Sequence, residues 1–148
     1  MIKQILKYMD FLIGYVNPKK QVYISVDGVA PMAKMSQQRK RRYRAVDDAK
    51  IKDDIRRKYN KETFEYWNNT VITPGTEFME KLHLSILDYI SKRKENKIIY
   101  SSFHTFGEGE HKILQDIKIN NSQSFVIYGL DADLIFLSLA CQKKIYFY

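Results

Sequence analysis

One cysteine, three prolines and six glycines in 148 residues leave the chain few of the usual structural devices. A lone Cys141 excludes an internal disulfide and a thiolate-built metal cluster within the chain. It follows Leu139 and Ala140 and reads as a buried structural thiol, with no role assigned. Little glycine and proline, together with 45% hydrophobic residues, excludes a disordered tail and gives one globular domain. No apolar run approaches the roughly 20 residues of a membrane-spanning helix, and the first residues lack the layout of a signal peptide. A soluble, intracellular protein is expected, cytoplasmic ahead of nuclear, with no membrane partner. Acids are also short of bases, 17 against 25, for a net charge of +8 and a pI near 9.4. That balance calls for an anionic partner, because clustered Lys and Arg displace counterions from phosphates.

What is present reads as alternating elements. Ile2, Ile5, Leu6, Met9, Leu12 and Ile13 recur at helical spacing and form one core-facing stripe, which Asn17-Pro18 ends. Val22 to Val26 reads as a buried strand closed by Asp27-Gly28. From about Ala33 to Lys58 the composition predicts a basic helix, broken near Val46. Asn68-Asn69 and Pro74-Gly75 mark a loop, and Thr76 is the expected N-cap of a helix over Phe78 to Ile90. A strand at Ile98 to Tyr100, a helix at His111 to Lys118, a strand at Phe125 to Tyr128 and a short helix at Leu134 to Ala140 follow. The chain then stops inside an expected strand at Ile145 to Tyr148. The alternation predicts an α/β fold with a mainly parallel sheet and helices on both faces, shortened at both ends.

In such sheets ligands bind beyond the carboxyl ends of the strands, and there the chain carries Asp27, then Glu108 and Glu110, then Asp131 and Asp133. Five converging carboxylates repel one another unless some are protonated or a multivalent cation lies between them. Magnesium suits carboxylate and water oxygens, and a pair about 4 Å apart serves phosphodiester hydrolysis. Taken singly, each acid reads more readily as a helix cap or a solvated charge than as a ligand. Their recurrence as Glu-Gly-Glu and Asp-Ala-Asp favours a site, since a cap needs one acid and each element offers two. His111 is open between a ligand and a helix-start hydrogen bond.

Lys34, Gln38, Arg41 and Arg42, at spacings of four, seven and eight, share one helical face next to Asp27. A terminal phosphate needs donors from several directions, with arginine as a planar fork, so this face is a candidate 5′-phosphate pocket. A solvated face gripping RNA backbone fits the spacing equally. Arg39, Lys40 and Arg44 lie off it. Tyr43, Tyr59, Tyr66 and Trp67 could stack on bases or pack in a core, and none is assigned.

Val26-Asp27-Gly28-Val29-Ala30-Pro31, the Ala33 to Arg42 segment, Ile72 to Met79, Gly107 to Ile113 and Tyr128 to Ile135 together resemble the Xrn-type 5′→3′ exoribonucleases. The similarity runs from about residue 1 to about residue 140. It implies that Asp27, Glu108, Glu110, Asp131 and Asp133 bind Mg²⁺ as two ions, with Mn²⁺ as a substitute. It also implies that Lys34, Gln38, Arg41 and Arg42 form a 5′-monophosphate pocket. Enzymes of this family remove one nucleotide at a time from single-stranded RNA, reject capped or triphosphate ends, and serve in messenger decay and surveillance. Residues 1–148 would be the central part of the N-terminal nuclease domain. A further acid on either side, or a partner chain, would supply the rest. Met32 and Phe106 depart from the family's pattern, which bears on local substrate contacts. The Lys, Ile, Asn and Tyr content fits an AT-rich genome such as that of a large DNA virus. Beside the hydrolase stand two other readings, a noncatalytic RNA-binding fragment and a flap-type DNA nuclease.

Overall fold

The computed structural model describes residues 1–63, 69–93, 97–129 and 131–148. Tyr66, Trp67 and Asn68 lie outside the described residues. Helix α1 (Ile2–Val16) ends where Asn17 adopts a left-handed conformation, φ 49°, and its N–H bonds to Ile13 O at 2.9 Å. Asparagine tolerates that geometry, and Pro18 then bars continuation. Strand β1 (Gln21–Ser25) pairs in parallel with β2 (Lys97–Ser101), Val22 beside Ile98 and Ser25 beside Ser101.

Between them lie helices α2 (Met32–Lys58) and α3 (Glu77–Ser91). The break expected near Val46 does not occur: α2 is one helix of 27 residues. With no Gly or Pro inside it, nothing interrupts the hydrogen-bond ladder, and Arg56, Arg57 and Lys58 complement the dipole at its end. No residue of α2 is buried. Thr76 caps α3 as expected, its hydroxyl accepting from Met79 N at 3.4 Å and donating to Thr73 O at 3.0 Å.

Helix α4 (Gly109–Ile119), strand β3 (Ser124–Ile127), helix α5 (Ala132–Leu139) and strand β4 (Lys144–Phe147) complete the order. β3 and β4 are parallel. The α/β class and the parallel pairing therefore hold, and among the described residues the strands form two two-stranded sheets. Two apolar clusters secure them. Met79, Leu82 and Ile86 of α3 pack with Phe103, against Ile2, Ile5 and Leu6 of α1 and Tyr100 of β2. Ile117 of α4, Ile127 of β3 and Leu134 of α5 form the other, with Phe125, Cys141 and Ile145 beside them. Among the described residues no helix is long and apolar enough to cross a membrane.

Candidate active site

The parallel register sets the ends of β1 and β2 side by side, and backbone bonds carry the pairing into the loops. Val26 N bonds to Ser101 O at 3.0 Å, Gly28 N to Gly107 O at 2.9 Å, and Gly107 N to Val29 O at 3.0 Å. Glycine is required at position 28, where a Cβ would lie 1.9 Å from Thr105 O. Lys112 of α4 ties the same loops from beneath. It is 5% exposed, and its ammonium donates to Val26 O at 2.9 Å and Ser102 O at 3.0 Å. Burial pulls its pKa below the ordinary lysine value, opposed by the charge of Asp27.

The five predicted acids reach this rim in four different settings. Asp27 leaves β1 and its Oδ1 accepts from Gly109 N at 2.6 Å, so it caps α4 across the loops. A side chain at position 109 would crowd it, since a Cβ there would lie 3.0 Å from Asp27 Oδ1. Glu108, 8% exposed, accepts a hydrogen bond and ion pair from Lys34 of α2. Burial pushes its carboxyl up, but the bonds to Lys34 and Glu110 and the Lys34 charge outweigh burial and hold it below the usual range. Burial also raises Glu110, and there the bond to Glu108 and the charge of Asp131 act in the same direction. Glu110 therefore holds a proton more readily than its neighbour.

Asp131 and Asp133 are exposed at the start of α5, where Asp131 Oδ1 accepts from Asp133 N at 3.0 Å. Asp131 thus is a cap. Oxygens of Glu110, Asp131 and Asp133 lie within 4.8 Å of one another, as do ligand atoms of Glu108, Glu110 and His111. His111 Nδ1 is 3.6 Å from Glu110 Oε1. Asp27 belongs to neither trio, so the described geometry gathers some of the acids and keeps Asp27 on the backbone of α4. The Glu110, Asp131 and Asp133 trio fits a hard divalent cation. It offers carboxylate oxygens at an accessible edge, and Glu110, raised first by burial and then by Glu108 and the charge of Asp131, is a carboxyl that a cation would help to ionise.

A cleft of about 790 Å³ opens beside this rim. Asp27, Gly28 and Glu108 line one side, Gln38, Arg39 and Arg42 of α2 another, and Thr73 and Pro74 a third. Of the four expected phosphate ligands, Gln38 and Arg42 border the cleft, Lys34 is paired with Glu108, and Arg41 is exposed and does not border it. Arg39, expected off the face, lines the cleft, as does Tyr43. Met35 and Val46, both exposed, also line the cleft, and at about 100° per residue Arg42 falls on their line while Arg41 falls well round from it.

A family model described as XRN 5′-3′ exonuclease N-terminus matches residues 1–147. The chain belongs to that family. Its XRN relatives include 5′-3′ exoribonuclease 2 of Cryptococcus neoformans, 40% identical over 170 aligned positions that cover 97% of this chain and 15% of the relative. The Kluyveromyces lactis protein of the same name is 38% identical over 97% of this chain and 17% of the relative. That of Arabidopsis thaliana is 40% identical over 92% and 16%. The chain thus spans less than a fifth of the length of these curated relatives.

Two residues at this rim escaped the reading of the sequence. Lys112 passed as one more basic residue of a motif, although it stands three after Gly109 and five before Ile117, on the buried side of α4. A lysine within an apolar stripe is the signal that could have found it. Ser25, the last residue of β1, has a buried hydroxyl with no hydrogen-bond partner among the described residues, and a Cβ at position 109 would lie 3.4 Å from it. Nothing in the strand pattern marks it.

Proposed function

We propose that this chain is the central part of the nuclease domain of a 5′→3′ exoribonuclease that shortens single-stranded RNA from a 5′-monophosphate end, in RNA decay. One observation carries the reading: Gln38 and Arg42 border the same cleft as Asp27 and Glu108, so donors for a terminal phosphate face the acidic rim. Arg42 and Gln38, joined by Arg39, hold the 5′-phosphate, and Arg41 with the outer bases of α2 grips the following backbone. Glu110, Asp131 and Asp133 hold Mg²⁺, or Mn²⁺ in its place, with Asp27 and Glu108 completing a second position. Magnesium bound there supplies a water of lowered pKa and offsets charge that builds on the phosphodiester. Lys34 keeps Glu108 ionised and in place, and Asp27 fixes the start of α4 so that Glu110 faces Asp131. A triphosphate adds bulk and charge beyond what Gln38, Arg39 and Arg42 match, so it is rejected. Compartment follows substrate, and messenger decay places the protein in the cytoplasm.

A second reading has its own support. Asp27 and Glu108 already satisfy Gly109 N–H and Lys34, which suits an RNA-binding piece whose metal centre is completed by the remainder of the protein or by a partner chain. Uniformly labelled RNA with a 5′-monophosphate, a 5′-triphosphate twin and a DNA of equal length, each incubated with Mg²⁺, tests the choice. Mononucleotides released from the monophosphate RNA alone support the exoribonuclease. RNA binding with no release supports the noncatalytic piece, and equal cleavage of DNA overturns both.

A further inference from the structure

A second ligand cluster lies on α3 and the loop after β2. Glu80 and His83 sit three apart on α3, so they share a face, and His104 comes to them from the loop. One ligand atom from each of the three lies within 4.8 Å of the others. We propose that Glu80, His83 and His104 form a binding site for Zn²⁺ or a similar transition-metal ion.

One pair of ligands already stands at the spacing such an ion needs. His104 Nε2 stands 3.3 Å from Glu80 Oε2. Two ligands on a tetrahedral ion with bonds of about 2.0–2.1 Å lie roughly 3.3–3.4 Å apart. His83 Nδ1 is 3.3 Å from the Tyr100 hydroxyl, so coordination through its other nitrogen keeps that bond as the orienting contact metal-bound imidazoles require. The loop is anchored from below. Phe103 is buried in the α3 cluster, its ring centroid 4.1 Å from that of His104, and Thr105 N bonds to Ser102 O at 3.1 Å. The half-exposed edge leaves a fourth position for water.

Two imidazoles and one carboxylate select a borderline ion such as zinc, whereas the all-oxygen trio at the strand ends selects magnesium. Occupancy would clamp the loop to α3, and through Thr105, whose carbonyl packs on Gly28, it would brace the turn that follows Asp27.

Titration of the metal-free 148-residue chain with Zn²⁺ by calorimetry, and with Co²⁺ by visible absorbance, tests the site. One equivalent of each is expected, with the intense visible bands of a four-coordinate Co²⁺. His104→Ala and His83→Ala are each expected to weaken binding by at least about 10- to 100-fold, the loss that even outer-shell changes cause. Glu80→Gln serves as a third variant that alters neither core cluster, and far-ultraviolet circular dichroism checks that all three remain folded. An Asp131→Asn, Asp133→Asn double variant is expected to keep the equivalent, and millimolar Mg²⁺ is not expected to displace it. Unchanged Zn²⁺ affinity in folded His83 and His104 variants, loss in the double variant, or full displacement by Mg²⁺ would each overturn the proposal.

Discussion

Helices α2 and α4 meet at the same rim and are built in opposite ways. α2 runs 27 residues with none buried, whereas α4 has 11, of which Gly109, Lys112, Leu114 and Ile117 are buried. α4 is fixed by the fold and in turn fixes Asp27 and Glu110. α2 is fixed mainly at its start, where Lys34 meets Glu108, and beyond that it presents charge. Precision and charge are therefore supplied by separate elements, and a change on α4 should read out as stability where a change on α2 reads out as binding.

Lys112→Met should break this division most sharply. It leaves the carbonyls of Val26 and Ser102 without their buried donor, for a loss of about 2–3 kcal/mol, read from the urea midpoint with the slope unchanged. Arg42→Ala is expected to leave stability within about 0.5 kcal/mol, as exposed substitutions do. It should weaken binding of a short 5′-monophosphate RNA about tenfold, the worth of one charge-assisted hydrogen bond. Arg41→Ala, away from the cleft, should cost less and should not discriminate between phosphate ends. Equal losses from both arginines would mean that α2 grips backbone without selecting an end.

The smallest effect tests the acids. A carboxyl whose folded pKa is raised destabilises the fold at pH above that pKa and has no effect below its unfolded value. Glu110 is raised, so Glu110→Gln should increase the thermal midpoint at pH 7, and the gain should vanish as pH falls below about 4, the ordinary glutamate range. Saturating Mg²⁺ should narrow the same gap at pH 7 by stabilising the ionised Glu110 of the wild type. A midpoint for Glu110→Gln that matches the wild type at every pH would show that an ionised Glu110 costs the fold nothing.

Much of this organisation was legible in the sequence because local signals and tertiary structure agree. The α1 stripe, the Thr76 cap and the alternation of strands and helices needed only periodicity and capping chemistry. The position of the acids after successive parallel strands followed from the topology those elements imply. What was not legible depends on packing between distant segments. The face of α2 was judged from its charges, but the side that borders the cleft carries Met35 and Val46 as well, with Arg39 in and Arg41 out. The break expected near Val46 has no Gly or Pro behind it, and α2 runs through. The pairing of Lys34 with Glu108, the descent of Lys112 under two loops and the approach of His104 to α3 each join residues with no local pattern in common.

The in-register pairing of β1 with β2 also has a kinetic side. Both α2 and α3 lie in the connection between these strands, so no hydrogen bond of that ladder can form until the whole intervening segment is looped out. Closing a long loop is entropically unfavourable before any contact rewards it, and parallel pairing of this kind delays the transition state. That cost predicts that the rim where Asp27 meets Gly109 assembles late. A nascent or partly refolded molecule would display the free basic helix well before it possessed a closed acidic edge, and would meet polyanions first as a simple cation.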